Sequence, residues 1–470
     1  MKRRLLLFGL VLACGWLWLR PQAAPALTAE QKSRLAKAER HEKNGWIYLH
    51  IEGVPRERGF QHGYLLAKDI AEGLRIQRRV WEYQSAMKWS WLVDKAAELF
   101  KGEIDAENAA EIDGIIEGMA AAGIPMGRDE LIAYNGSAEL LGYWWPTVKD
   151  AVSPNAPGRS KQNCSSFIAV GSLTADGGIV LGHNTWSDYY YAVSNVILDI
   201  LPARGHRILM QASAGLIHSG TDFFITDAGL VGSETTIGGF TPFDPKGTPE
   251  FTRMRRATQY ASSIDEWCAA MKKGNNGGYA NAWLLGDIRT NEIARLELGL
   301  KYVGFERTKN GYFAGSNVAE DLRVLRFETK TQETNIKNAD ISRRVRWKQL
   351  MKENAGRIDR NRAQAFLADH FDTYLNREVP GERTICGHGE LDDQASGPDE
   401  PFLPSGAFDG KVVDSALARD MAFLARWGSS CGRPFDAAGF LQAHPQYEWM
   451  TGLIKDRPTQ PWTTFQAGER

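Results

Sequence analysis

The chain has 470 residues, 56 of them basic and 57 acidic, for a formal net charge of −1. A content of 43 % hydrophobic and 24 % charged residues is that of a folded globular protein and excludes extended disorder. The charge balance excludes a dedicated nucleic-acid binder, which carries a basic excess, while 47 glycines and 15 tryptophans point to many tight turns and large apolar surfaces.

At the N-terminus, Lys2, Arg3 and Arg4 precede an apolar run from Leu5 to Leu19, closed by Arg20 and Pro21 and followed by Ala24–Ala26. This pattern predicts a secretory signal peptide over residues 1–26 and export to the periplasm or medium; an uncleaved anchor over residues 5–19 is the alternative. The run is shorter than the ~20 residues of a comfortable membrane span, and no later stretch reads as transmembrane.

Thr28 and Gln31 form a capping box that starts a polar helix reaching about Asn44. Trp46–Ile51 alternates like a strand. Helical periodicity is next seen over 57–84, with Leu66, Ile70 and Leu74 on one face, and over 106–121, with the stripe Ile112, Ile115, Ile116 and Met119. Residues 143–163 contain three prolines and read as an exposed loop. Strands are predicted next at Cys164–Val170, Gly178–Gly182, Ala192–Leu201, His206–Ala212, Phe223–Thr226 and Gly229–Thr236. Two helices, at about 249–262 and 264–273, separate these from strands at Ala282–Asp287, Ile293–Leu298 and Tyr302–Glu306. The first strand is apolar on both faces, so both must be covered, as between stacked sheets flanked by helices. From about Ile341 the pattern is helical and loop-rich.

Cys14 falls in the leader, and Cys164, Cys268, Cys386 and Cys431 remain, which can pair in three ways. Cys386 and Cys431 both lie in glycine-containing loops and are the favoured disulfide in an oxidising compartment. Cys268 follows Trp267 in a helical pattern and reads as a buried apolar residue. Cys164 differs, because it opens a strand directly after a loop. An N-terminal nucleophile needs that arrangement: cleavage of the Asn163–Cys164 bond frees an α-amine titrating near ~8 beside a thiol near ~8.5. Such a base takes the thiol proton and later returns it to a leaving group. A buried structural cysteine is the competing reading.

His388, Glu390, Asp392 and Asp393 superficially resemble metal ligands, but their spacing matches neither zinc nor calcium sites and they read as solvated loop charge. No metal and no cofactor is expected. Gly274–Gly278 does not match a phosphate-binding loop, and Tyr189–Tyr191 read as core aromatics.

Cys164-Ser165-Ser166 with Gly182-His183-Asn184-Thr185-Trp186 resembles the phospholipase B-like proteins of the N-terminal nucleophile (Ntn) hydrolase superfamily. Gly229-Leu230-Val231 running into Glu234-Thr235-Thr236-Ile237-Gly238, and Asn276-Gly277-Gly278-Tyr279-Ala280-Asn281-Ala282-Trp283, are similar to two further blocks of that family. Arg58-Gly59-Phe60-Gln61-His62-Gly63 is similar to the leading segment of the related cysteine acyltransferases that process penicillin precursors. The resemblance covers roughly residues 55–315 and is weaker in the C-terminal third.

The resemblance implies an α+β fold, a four-layer αββα sandwich of two antiparallel sheets flanked by helices. Residues 27–163 would form a helical N-terminal segment, 164–340 the catalytic core and 341–470 a helical and loop part packed on it. Cys164 would cleave the Asn163–Cys164 bond and then attack substrate, Asn281 would donate to the oxyanion, and His183 would orient the nucleophile or tune its amine. Trp186, Thr235 and Trp283 would lie at the substrate pocket. Bile-salt and penicillin amidases of the superfamily carry an Arg and an Asp after the corresponding strand; here His183 and Asp188 fall in that region. The expected substrate is a small acylated or lipid-like molecule, cleaved at an amide or ester through a thioester, with peripheral membrane association if the acyl chain belongs to a lipid. An acyltransferase with an amine acceptor and a non-catalytic lipid-binding envelope protein are the alternatives.

Overall fold

Asn44 and Gly45 both take positive φ (50° and 82°), and this two-residue turn folds Glu39–Lys43 and Trp46–Gly53 into an antiparallel hairpin. The predicted polar helix therefore stops early. It covers only Ala29–Leu35, behind the Thr28–Gln31 capping box, and the chain continues as strand. An Asn-Gly pair suits the type I′ hairpin turn, and that local geometry outweighs helical periodicity in the polar residues before it. This computed structural model describes residues 26–153, 164–193, 195–220, 223–394 and 400–469. The apolar leader and Asn163 lie outside the described residues. Among those described, no helix is long and apolar enough to cross a membrane.

The helical span predicted over 57–84 is two helices, Pro55–Leu65 and Ala67–Ser85, divided at Leu66, while Ala106–Ala121 is one helix as the stripe predicts. The first and last of these cross on glycines. A Cβ at Gly59 would sit 2.1 Å from the Glu111 carbonyl oxygen, and one at Gly63 2.0 Å from that of Ile115. From the other side, a Cβ at Gly114 would meet the Arg56 carbonyl oxygen at 2.3 Å, and one at Gly118 that of Phe60 at 2.3 Å. The two backbones touch directly, so the Gly59–Gly63 motif has a packing role. Residues 143–163 do not begin as a loop: Trp145–Val152 is helical, with Pro146 in the first turn, where its missing N–H leaves no helical bond unmade.

Among the described residues, nine strands form the larger sheet, in the spatial order Glu39–Lys43, Trp46–Gly53, Val196–Pro202, Ile208–Ala212, Phe223–Thr226, Leu230–Thr236, Asn281–Asp287, Glu292–Leu298 and Val303–Thr308. Every neighbouring pair is antiparallel except Trp46–Gly53 with Val196–Pro202, which run parallel in the register Ile47↔Val196. The second sheet has six strands, all antiparallel, in the order Gly311–Gly315, Ser165–Val170, Val180–Asn184, Asp409–Asp414, Ala422–Trp427 and Thr463–Gln466.

Side-chain alternation sorts the strand residues between layers. Ile168, Leu181, Ile197, Ile225, Val231 and Leu284 pack together between the sheets. Phe167, Ala169, Val180 and Val412 point outward onto the helices Ala339–Glu353 and Arg360–Leu367 through Trp347, Leu350 and Phe366. Leu198, Met210, Phe224 and Trp283 face the opposite helical layer, where Ile112, Ile115, Phe251 and Trp267 cover them. The architecture is thus helix, sheet, sheet, helix.

Three of the six strands in the second sheet come from the C-terminal third, so that part is woven into the sandwich rather than being only helix and loop. Its strands escape the sequence reading for a physical reason. Asp409 and Lys411 are fully buried at alternate positions of one of them, so hydropathy does not alternate there.

Candidate active site

Cys164 stands one residue before the strand Ser165–Val170, buried at 2 % exposure. The pleat puts Ser166 on the inner side, where its Oγ lies 2.6 Å from Ser233 Oγ of the other sheet. Cys164, two residues earlier, falls in line with that inner row, and Ser165 turns to the outer helices. There Arg343, from Ala339–Glu353, reaches the Cys164–Ser165 segment. Its Nη1 donates to the Cys164 carbonyl oxygen at 2.7 Å and to Ser165 Oγ at 2.8 Å. Its Nη2 donates to Asn317 Oδ1 and to Asp340 Oδ1, both at 2.8 Å. Burial holds the Arg343 guanidinium below its ordinary pKa, against the opposing pull of Asp340 and of the Cys164 thiol.

His183 pairs in register with Ser166 on one side and Lys411 on the other, which places it on the inner row beside the strand Ser165–Val170. Its ring is fully buried against the backbone of Glu234, and burial followed by the charge of Lys411 drives its pKa well below the ordinary histidine value. His183 is therefore a neutral imidazole at physiological pH. Lys411 Nζ donates to Thr185 Oγ1 and Asp409 Oδ1, both at 2.6 Å, and Asp409 also accepts from Gln211 Nε2 at 2.6 Å.

Thr235 faces the second sheet: a Cβ on Gly315 would come within 2.2 Å of its Oγ1, so only glycine fits opposite it. Asn281 opens its strand just after Tyr279, which takes a positive φ of 36°. Its side chain is fully buried, and among the described residues neither its Nδ2 nor its Oδ1 has a hydrogen-bond partner. Asn281 pairs in register with Thr236, whose carbonyl accepts from Asn317 Nδ2 at 2.7 Å. A hydrogen-bonded path therefore runs from the Cys164 carbonyl through Arg343 and Asn317 to the strand neighbour of Asn281.

The predicted pocket residues divide. Thr185 and Ser187 line a cavity of about 70 Å³ together with Gln77, Asn135, Ser213 and His218. Trp186, between them, turns the other way and is buried under Gly387, with its ring 6.0 Å from the Arg343 guanidinium. Trp283 corrects the expectation that it lies at the pocket. Strand alternation points it into the outer helical layer, edge-on to Trp267 at 4.9 Å, as a core aromatic. Asp188 accepts from the Tyr190 hydroxyl, and Tyr189 and Tyr190 are core residues as expected.

Two further expectations need correction. Cys386 and Cys431 are brought together, but as free thiols rather than a disulfide. His388, Glu390 and Asp392 are buried, not solvated loop charges, because Tyr189, Arg383 and the backbone around Gly381 enclose them. The sequence reading also missed Arg343, Asn317, Lys411 and Asp409. Nothing in the local pattern separates Arg343 from Arg344, which pairs with Glu320 instead.

Residues 109–303 match the phospholipase B family model. Over that span the chain resembles the phospholipase B family. It is 25 % identical over 353 residues to phospholipase B-like protein C of Dictyostelium discoideum, covering 66 % of this chain and 59 % of that one. It is 29 % identical over 150 residues to human putative phospholipase B-like 2, covering 28 % of this chain and 25 % of the relative. The chain thus spans less than two thirds of the length of these relatives. Among solved structures, a mutant conjugated bile acid hydrolase from Clostridium perfringens aligns at a TM-score of 0.33 and 12 % identity, over 56 % of this chain and 89 % of that one. The matched span contains Cys164, His183, Trp186, Thr235, Asn281 and Trp283.

Proposed function

We propose that the protein is an autoprocessed cysteine hydrolase that cleaves an amide or ester of an acylated substrate. The observation that carries this reading is the setting of Cys164, a buried thiol at the mouth of an inner strand with a guanidinium fixing its carbonyl. A cut between Asn163 and Cys164 leaves the α-amine of Cys164 as the base. That amine takes the thiol proton, the sulfur attacks the substrate carbonyl, and negative charge collects on the carbonyl oxygen. Asn281, with an unused amide N–H in a dry setting, is the donor for that oxyanion. Collapse of the tetrahedral species expels the leaving group, which receives the proton from the amine, and a thioester remains on Cys164. Water, activated by the same amine, releases the acyl group.

Neutral His183 cannot act as a second cation in this scheme. Its role is to fill and shape the inner row beside the nucleophile strand. The phospholipase B-like relatives support an acyl chain of lipid type, and the basic-then-apolar N-terminus supports export.

Intact-mass analysis of the purified chain tests the first step. Wild type should separate under denaturing conditions into two fragments that meet at Asn163–Cys164, and Cys164→Ala should remain one chain. A single uncut wild-type chain indistinguishable from Cys164→Ala sinks the processing scheme. A panel of N-acyl amides and acyl esters then tests turnover, with acyl transfer to added amines separating a transferase from a hydrolase.

A further inference from the structure

One cluster lies outside the catalytic scheme. A ring nitrogen from each of His370 and His388 and the sulfurs of Cys386 and Cys431 all lie within 4.8 Å of one another, with Cys386 and His388 buried and His370 and Cys431 half-buried. We propose that these four residues form a tetrahedral zinc site that clamps the C-terminal third of the chain onto the strand carrying His183.

The geometry near His388 is already that of a coordination edge. Its Nε2 lies 3.5 Å from Cys386 Sγ and 3.4 Å from Cys431 Sγ. With Zn–S of about 2.3 Å and Zn–N of about 2.0–2.1 Å, a tetrahedron has ligand–ligand edges of roughly 3.3–3.8 Å. Two thiolates with two neutral imidazoles offset a divalent charge in full, so the complex can be buried without a stranded ion. A set of two sulfurs and two nitrogens in this arrangement suits zinc above harder divalent cations.

The surroundings supply the supporting shell that a metal site uses. His388 Nδ1 lies 2.9 Å from Glu390 Oε1, which fixes the tautomer that aims Nε2 at the sulfurs. Glu390 is itself held by the Tyr189 hydroxyl at 2.6 Å. Cys431 Sγ accepts from the backbone N–H of Arg433 at 3.4 Å and lies 3.4 Å from Ser429 Oγ, contacts that suit a thiolate. His370 carries a buried Nε2 with no hydrogen-bond partner among the described residues.

The location explains what the clamp would do. Asn184, the residue after His183, donates to the carbonyls of Leu367 and Ile385 at 2.8 and 3.1 Å and accepts from Ser430 Oγ at 2.6 Å. One side chain of the active-site strand thus ties down the chain beside three of the proposed ligands. Trp186 packs directly on Cys386 and lies close to Cys431. The ion would fix loops that are distant in sequence, and through Asn184 and Trp186 it would set the wall behind Arg343. It has four protein ligands and no open position, so its role is structural.

The test uses the full chain, purified without chelator from zinc-supplemented cells. Elemental analysis should find one zinc per chain, and denatured, non-reduced mass should show Cys386 and Cys431 as free thiols. Cobalt(II) added to the metal-stripped chain should give tetrahedral absorption with thiolate charge-transfer bands. Cys386→Ser should abolish both signals. If that variant does not fold, Glu390→Gln keeps all four ligands and should weaken zinc retention against a competing chelator about 10–100-fold. A Cys386–Cys431 disulfide that, after reduction, still takes up neither zinc nor cobalt overturns the proposal. So does zinc content unchanged in Cys386→Ser or retention unchanged in Glu390→Gln.

Discussion

Arg343 donates its Nη1 to the carbonyl oxygen of Cys164 at 2.7 Å, from a helix 179 positions further along the chain. The backbone of the proposed nucleophile is therefore held by a cation that also grips Ser165, Asn317 and Asp340. Lysine carries a point charge and cannot serve four acceptors spread over a planar fork. Arg343→Lys should lower unfolding stability by about 2–4 kcal/mol, since hydrogen bonds to charged groups are worth about 1.5–3 kcal/mol each and some survive. It should also slow cleavage before Cys164. Urea unfolding and a mass-resolved time course read the two effects, and wild-type values for both would remove Arg343 from the site.

Among the described residues Asn281 has no hydrogen-bond partner for its side chain, so burying it for structure alone would be costly. Asn281→Ala should therefore leave the thermal midpoint nearly unchanged while lowering kcat about 10²–10³-fold on an acyl substrate, with KM little affected. A variant that loses stability but keeps kcat assigns Asn281 to packing.

His62 Nε2 accepts from the backbone N–H of Gly215 at 2.9 Å, and burial depresses its pKa to about 4. The unfolded chain protonates this imidazole near pH 6.5, while the folded chain resists until about pH 4. The contribution is complete above pH 6.5 and is lost as pH falls toward 4, with a slope on the order of 1 kcal/mol per pH unit. Other buried groups titrate in the same range, Glu139 in the opposite sense because burial raises its carboxyl to about 7. The clean measurement is the difference between wild type and His62→Gln. That difference should shift in the variant's favour as pH drops from 7 to 5, and a pH-independent difference would refute the assignment.

The helix crossing offers a sharper stability test. Gly63→Ala drives a methyl to 2.0 Å from the Ile115 carbonyl oxygen and should cost about 2–3 kcal/mol or more. Gly102→Ala meets nothing within 4 Å and should be close to neutral. Equal effects at both positions would mean that the crossing is looser than its backbone contacts indicate.

Much of the fold is legible in the sequence. The strands from Cys164 to Glu306 fall within a few residues of their predicted limits, because they are apolar runs bounded by glycine and polar turns. Cys164 stands out as a candidate in the sequence because the thiol and the strand Ser165–Val170 are adjacent in the chain. Arg343, Asn317 and Lys411 are not, since each reaches the site from a distant element and looks like an ordinary solvated side chain in its own window. The last third is obscure for a related reason. Its strands bury Asp409 and Lys411 as a mutually satisfied pair, and a buried ion pair erases the hydropathy signal that marks a strand. Trp283 shows the converse: its neighbours in sequence are site-like, but the pleat alone decides which layer it faces.

The parallel pairing of Trp46–Gly53 with Val196–Pro202 joins segments on either side of position 163 within one sheet. A cut there would turn one polypeptide into two that jointly own an uninterrupted hydrogen-bond ladder, with nothing left to dissociate short of unfolding. The break would also erase the tether that brought those strands together. A processed molecule, once denatured, would have to find its other half by bimolecular collision, so its folding would be a one-way event recorded in a bond it no longer has.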